Sequence, residues 1–315
     1  MNLTNGLKKA MRGNPVTLPD NPVEGGVAFP FRAVPELVKF HLSLYIALSA
    51  MAGHVLAAGR FSLDSLTLGG LTLLLSCGSA VLNNIQDRVW DQDAERTRDR
   101  VLVKHSNMLS RAAVLAALLI FSGLSGLLWI AGGMPFLLGA AALGLYNGLY
   151  TPLKKITLWA MVPGILCGMI PPAMGWTAVA QGMSASDVSG LWIVMAALGF
   201  WQLPHYLLIS LRHPDADAGM PERPGFNTIW SHEEIRWQIL IWTGVFSLSM
   251  TLFQVKGWIA SPGLSLCHMA VAVMLPIAMG VMLVPSGSAR RTGICLAMIN
   301  LSMLVFLGIA VLDRI

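Results

Sequence analysis

The chain has 315 residues, 55% hydrophobic and only 12% charged, with a formal net charge of +5 at pH 7. So little charge, spread between apolar runs of about 20 residues, excludes a water-soluble domain and specifies a polytopic membrane protein in contact with membrane lipid. The basic excess follows from loop asymmetry and needs no nucleic-acid partner, and no Gly-rich phosphate loop with its lysine is present to suggest a nucleotide-driven pump.

Residues 1–32 read as a polar cytoplasmic N-terminal segment, rich in Gly and Pro and carrying Lys8, Lys9 and Arg12. They contain no apolar core of a cleavable signal, so the first span is expected to stay in the membrane. Residues 33–315 then form a transmembrane domain, with spans predicted at 35–58, 66–82, 109–131, 135–150, 158–179, 191–211, 235–253, 264–284 and 293–312. The expected fold is an all-α membrane bundle of about nine helices around a central cavity, capped by cytoplasmic loops.

Eighteen of the 21 basic residues fall on one side of this topology, leaving Arg60, Lys256 and Arg314 opposite. That asymmetry predicts a cytoplasmic N-terminus and an external C-terminus in a bacterial cytoplasmic (inner) membrane. Two connections on the basic side, 87–109 and 212–234, are long and charged, and their spacing of about four helices hints at an internal duplication. The cysteines Cys77, Cys167, Cys267 and Cys295 show no metal-ligand spacing and read as small apolar residues.

The segment Asn83-Asn84-Ile85-Gln86-Asp87-Arg88-Val89-Trp90-Asp91 closes the second span. If the helix continues through it, Asn83, Asp87 and Asp91 share one face and their oxygens can converge on a hard cation such as Mg²⁺. Acids at membrane depth are costly without a positive partner, which makes function the default reading. Nearby cations are Arg88, Arg96, Arg100, Lys154 and Lys155, and a second acidic stretch carries Asp215 and Asp217. Carboxylates bind a diphosphate only through divalent metal, with Lys or Arg neutralising its outer oxygens.

The first acidic segment resembles the aspartate-rich motif of the UbiA superfamily of intramembrane prenyltransferases, with Asn84 where many members carry Asp. Glu95-Arg96-Thr97-Arg98-Asp99-Arg100, Tyr150-Thr151-Pro152-Leu153-Lys154-Lys155, Pro171-Pro172-Ala173-Met174-Gly175-Trp176 and Trp201-Gln202-Leu203-Pro204-His205 follow in order. Together they are similar to the protoheme IX farnesyltransferases, or heme O synthases. The resemblance implies Mg²⁺-dependent transfer of farnesyl from farnesyl diphosphate to a vinyl group of heme b. It implies that Asn83, Asp87 and Asp91 bind metal and diphosphate, and that Arg96, Arg100, Lys154 and Lys155 stabilise the leaving group. Asn84, Arg88 and Tyr150 would line the same substrate site, His205 the heme pocket, and Tyr146, Tyr150 and Trp201 are aromatic candidates for easing the allylic cation. It further implies association with heme A synthase or oxidase assembly. Two departures stand out: Pro214 and Asp215 occupy the place of an Asp-Tyr pair, with Asp217 as the substitute acid, and Val89 stands where some members add another Asp. Prenyl transfer to a quinone precursor, and a transporter whose acids carry ions, are the alternative readings.

Overall fold

The computed structural model describes residues 34–93, 97–179, 185–213, 225–283 and 288–315, all within the compact unit Arg32–Ile315. Regular structure among them is helical throughout. The principal helices are α1 Phe40–Ala58, α2 Leu63–Asp91, α3 Leu109–Gly126, α4 Gly133–Leu143, α5 Met161–Val179, α6 Ala185–Arg212, α7 His232–Val255, α8 Pro262–Leu283 and α9 Ala289–Leu312. Helices are the form such apolar runs must take, because lipid offers no partner to an open backbone N–H or carbonyl. Ser62 and Ser231 close reciprocal capping boxes at the starts of α2 and α7.

Among the described residues, eight helical stretches are long and apolar enough to cross a bilayer. The fourth expected span is built differently. The 11 residues of α4 run on as a π-helix over Gly144–Tyr150 and a final turn over Thr151–Leu153. Helical backbone is therefore continuous from 133 to 153, roughly 30 Å at α-helical rise. The first span also starts later than expected: a turn over Val34–Leu37 precedes it, and Lys39, in the left-handed conformation (φ 46°, ψ 52°), separates that turn from α1.

Helix α1 packs on α2 and α5; α2 is backed by α3, and α5 also meets α4 and α6. Helices α6, α7, α8 and α9 pack in succession, and α9 returns to both α6 and α1. The α6–α9 part is filled by Ile239, Phe246, Met250, Phe253 and Phe306, all fully buried. Around α2, α4 and α5 the buried apolar cluster is smaller, centred on Leu68, Leu75, Leu127, Ile170 and Met174. Large apolar side chains elsewhere face outward, as lipid-facing residues do; Trp129, Trp159, Trp192 and Trp237 lie near helix ends, where indole rings favour the headgroup level.

The α1–α5 contact brings backbone against backbone. A Cβ on Gly53 would collide with the carbonyl of Pro172, and one on Gly175 with the carbonyl of Ala50, besides lying 2.5 Å from the His54 amide nitrogen. Small residues permit this approach, which packs membrane helices without any hydrophobic drive between them. Because the obstructing atoms are backbone, Gly175→Ala is expected to cost about 3 kcal/mol, the upper part of the usual overpacking range. Thermal unfolding in detergent checks this, with Gly70→Ala as control, since nothing lies within 4 Å of a Cβ at Gly70.

Candidate active site

Helix α2 runs unbroken to Asp91 because no Gly or Pro interrupts it after Gly78 and because its buried polar side chains all meet partners from other elements. Asn83, Asp87 and Asp91 lie on one face and are 0%, 3% and 8% exposed. Burying two carboxylates is tolerable only with counter-charges and hydrogen bonds in place. Lys154 Nζ donates to Asp87 Oδ2 at 2.5 Å, and Lys155 Nζ lies 3.4 Å from Asp87 Oδ1. Asn83 Nδ2 donates to Asp87 Oδ2 at 3.0 Å and to Thr151 Oγ1 at 2.9 Å. Asp91 Oδ2 accepts from Arg100 Nη1 at 2.6 Å, and the Thr97 hydroxyl donates to the Asp91 carbonyl at 3.3 Å.

The facing wall comes from the π-helical stretch of α4. There, Asn147 is clasped to α2: its Nδ2 donates to the Ser79 carbonyl and to Gln86 Oε1, both at 3.1 Å, while Ser79 Oγ donates to its Oδ1 at 2.6 Å. Gln86 Nε2 returns a bond to the Asn147 carbonyl at 3.0 Å. This clasp fixes the register that delivers Lys154 and Lys155 to Asp87. Tyr146 and Tyr150 stack with ring centroids 5.5 Å apart, Lys154 Nζ sits 5.4 Å from the centre of Tyr150, and Lys155 Nζ lies 5.7 Å from that of Trp90.

One member of the cluster was not singled out from sequence. Lys39, counted above only among the residues that set orientation, donates through Nζ to Asn83 Oδ1 and, at 3.5 Å, to the Tyr146 hydroxyl. Burial, with help from the neighbouring Lys154 and Arg100 charges, lowers its ammonium to about 7 against the pull of Asp87 and Asp91. Lys39 is the single non-glycine residue with positive φ among the described residues. The available signal was a lysine inside an apolar run at membrane depth.

Directly below this rim lies an apolar cavity between α1, α2, α4 and α5. It holds about 600 Å³ of space between atoms, its open side included. Its lining includes Ser43, Ser79, Leu75, Cys167 and Met174, and Tyr146 is common to the cavity and to the charged rim.

The other expected residues are placed less uniformly. Asn84 turns toward the Val34–Leu37 turn, donating to the Leu37 carbonyl at 2.8 Å, and borders a small cavity with Asp91 and Arg100. Arg88 is half-buried, one residue beyond Asp87 on α2. His205 sits on the α6–α9 interface, with Nδ1 2.7 Å from Asn300 Oδ1 and its ring 5.0 Å from that of Trp201. Arg96, Asp215 and Asp217 lie outside the described residues. Among the described residues no three His, Cys, Asp or Glu side chains come together as a metal cage. Two buried acceptors do lack hydrogen-bond donors, however: Asn84 Oδ1, and Asp87 Oδ1, which has only the more distant Lys155 ammonium. Carboxylate and amide oxygens left open in this way suit a hard divalent cation.

A helical bundle whose buried acids and bases crown an apolar cavity defines an intramembrane prenyltransferase, and residues 46–311 match the model of the UbiA prenyltransferase family. The chain belongs to that family. A protoheme IX farnesyltransferase of Oleidesulfovibrio alaskensis is 30% identical over 293 residues, covering 90% of this chain and 97% of its own length. Among solved structures, one described for digeranylgeranylglyceryl phosphate synthase has a TM-score of 0.71 at 12% identity, covering 90% of this chain and 98% of its own. A UbiA homologue from Archaeoglobus fulgidus bound to GPP and Mg²⁺ has a TM-score of 0.61 at 12% identity, covering 90% and 99%. These structural likenesses establish the fold.

Proposed function

We propose that this prenyltransferase moves a farnesyl group from farnesyl diphosphate to a vinyl group of heme b, giving heme O, with Mg²⁺ held at the acidic rim. The observation that carries the reading is the division of the site: buried acids and lysines above, an apolar cavity below, and Tyr146 between them. The protoheme IX farnesyltransferase that matches nearly end to end supports the acceptor.

Asn83, Asp87 and Asp91 are the residues that would hold the cation, joined by Asp215 and Asp217 from the second acidic loop. When bound, Mg²⁺ supplies Lewis-acid neutralisation of diphosphate oxygens. Lys39, Lys154, Lys155 and Arg100 surround the same space and would take up the charge that develops as the allylic C–O bond breaks and its electron pair leaves with the diphosphate. Lys154 and Lys155 are held by Asp87 in the free protein, so they are available without crossing the site. Tyr146 and Tyr150 lie where the reacting carbon would sit, and their π-faces would ease its positive charge. The vinyl π electrons then form the new C–C bond, and water adds at the resulting cation beside the porphyrin and releases a proton. Until then the apolar wall keeps water from the farnesyl cation. His205, its ring held against Asn300, is the candidate heme contact.

Purified protein in lipid, given farnesyl diphosphate, heme b and Mg²⁺, is expected to yield hydroxyethylfarnesyl heme by mass spectrometry, and EDTA is expected to suppress the product. Transfer to an aromatic quinone precursor but not to heme would replace the acceptor; metal-independent turnover would remove Mg²⁺ from the scheme.

A further inference from the structure

The apolar cavity has a measurable depth. It begins beside Asn83 and Tyr146 and descends along α2 past Ser79 and Ser76 to Leu75 and Thr72. There it meets a packed floor. Leu75 is 5% exposed and Met174 1%, and both press on α4 at Gly139: a Cβ placed there would lie 3.0 Å from Leu75 Cδ2 and 3.4 Å from Met174 Cε. Beneath that floor the space between the helices changes character. A second cavity, opening at the other end of the bundle, is lined by His54, Arg60, Ser62 and Asp64 together with Leu68 and Leu71. One helical turn of apolar side chains thus separates a dry compartment from a polar one.

Helical rise converts this into length. From Asn83, Ser76 lies about 10 Å down α2, Leu75 about 12 Å and Thr72 about 16 Å. An isoprene unit contributes four chain bonds, about 4.7 Å if each bond advances as it does in an extended backbone. Two units then reach about 9 Å, three about 14 Å and four about 19 Å on the same scale. Three units end at the floor, and a fourth would have to displace Leu75 and Met174 into the polar compartment.

We infer that Leu75 and Met174 form a chain-length stop that selects a three-isoprene diphosphate; this rests on the reading of the cavity as the prenyl site. The two residues touch neither the diphosphate nor the reacting carbon, so they act on specificity alone. The test is equilibrium binding of the unreactive thiolodiphosphates of geranyl, farnesyl and geranylgeranyl to the full chain in lipid nanodiscs with Mg²⁺, which needs no acceptor. Wild type is expected to favour farnesyl over geranylgeranyl by about tenfold or more, the scale at which pockets discriminate added apolar groups. Leu75→Ala/Met174→Ala should bring that ratio to about one or below. Ser76→Leu, which fills the shaft one isoprene higher, should shift preference to geranyl. Because each ratio is internal to one variant, a loss of folded protein does not imitate the result. Tight binding with ratios unchanged in both variants would overturn the stop, as it would if long chains leave sideways past Leu42. Failure of wild type to bind any of the three would overturn the prenyl site itself.

Discussion

Asp87→Asn is expected to lower prenyl transfer by about 10³-fold or more, on the scale set by removing a preorganised charge-stabilising group from a buried site. The substitution keeps size and shape but deletes the one charge that faces Lys154 and Lys155 together. It also removes an oxygen suited to the cation, so metal and basic residues are lost from working position at once. Asp91→Asn should likewise fall steeply, because Arg100 would lose its partner. A structural role would show itself differently: if the loss came only from two unpaired buried ammoniums, then Asp87→Asn/Lys154→Met would recover activity along with stability. Mass-spectrometric turnover, read beside the elution profile in detergent, separates the cases, and recovered turnover in the double variant would sink the catalytic assignment.

Lys39 offers the second large effect, with opposite signs in stability and activity. Its left-handed backbone costs a lysine about 1 kcal/mol that glycine would not bear. Lys39→Gly should therefore unfold at a slightly higher temperature while losing about 10²-fold in kcat/KM. Its ammonium, lowered to about 7 by burial and by Lys154 and Arg100, adds a pH signature. A bound diphosphate brings negative charge and raises that value, so the complex holds more protons than the free protein at pH 8. Binding should then be accompanied by proton uptake, with affinity level below about pH 7 and declining as pH rises above it. Titration calorimetry with farnesyl thiolodiphosphate in two buffers of different ionisation enthalpy measures the uptake. Lys39→Met should abolish it; uptake that survives in the variant would reassign the proton.

The sequence disclosed the features that depend on composition and local spacing. Apolar runs marked the spans, and the four-residue recurrence of Asn83, Asp87 and Asp91 correctly placed them on one face, because a helix through that segment allows nothing else. Lys154 and Lys155 were recognisable as partners in kind. What stayed hidden was register between distant segments: nothing in Gly144–Tyr150 announces that Asn147 will lock onto Ser79 and Gln86. Lys39 escaped for a related reason. Val38-Lys39-Phe40 carries no glycine or asparagine to advertise a left-handed residue, so the lysine read as part of a continuous span rather than as a hinge that turns its amine inward. The cavity depth was equally invisible, since it depends on Leu75 and Met174 meeting across three helices.

The wide turn in α4 can also be regarded as an alignment problem. A π-helical stretch bonds each N–H to the carbonyl five residues back, which amounts to one residue accommodated beyond the α-helical count. Losing a single residue between Gly144 and Tyr150 would let that stretch rewind as ordinary α-helix and swing everything after it by about 100°. Lys154 and Lys155 would then face away from Asp87 although neither had changed. In comparisons among relatives, a one-position gap at this place therefore carries more functional weight than many substitutions in the cavity wall.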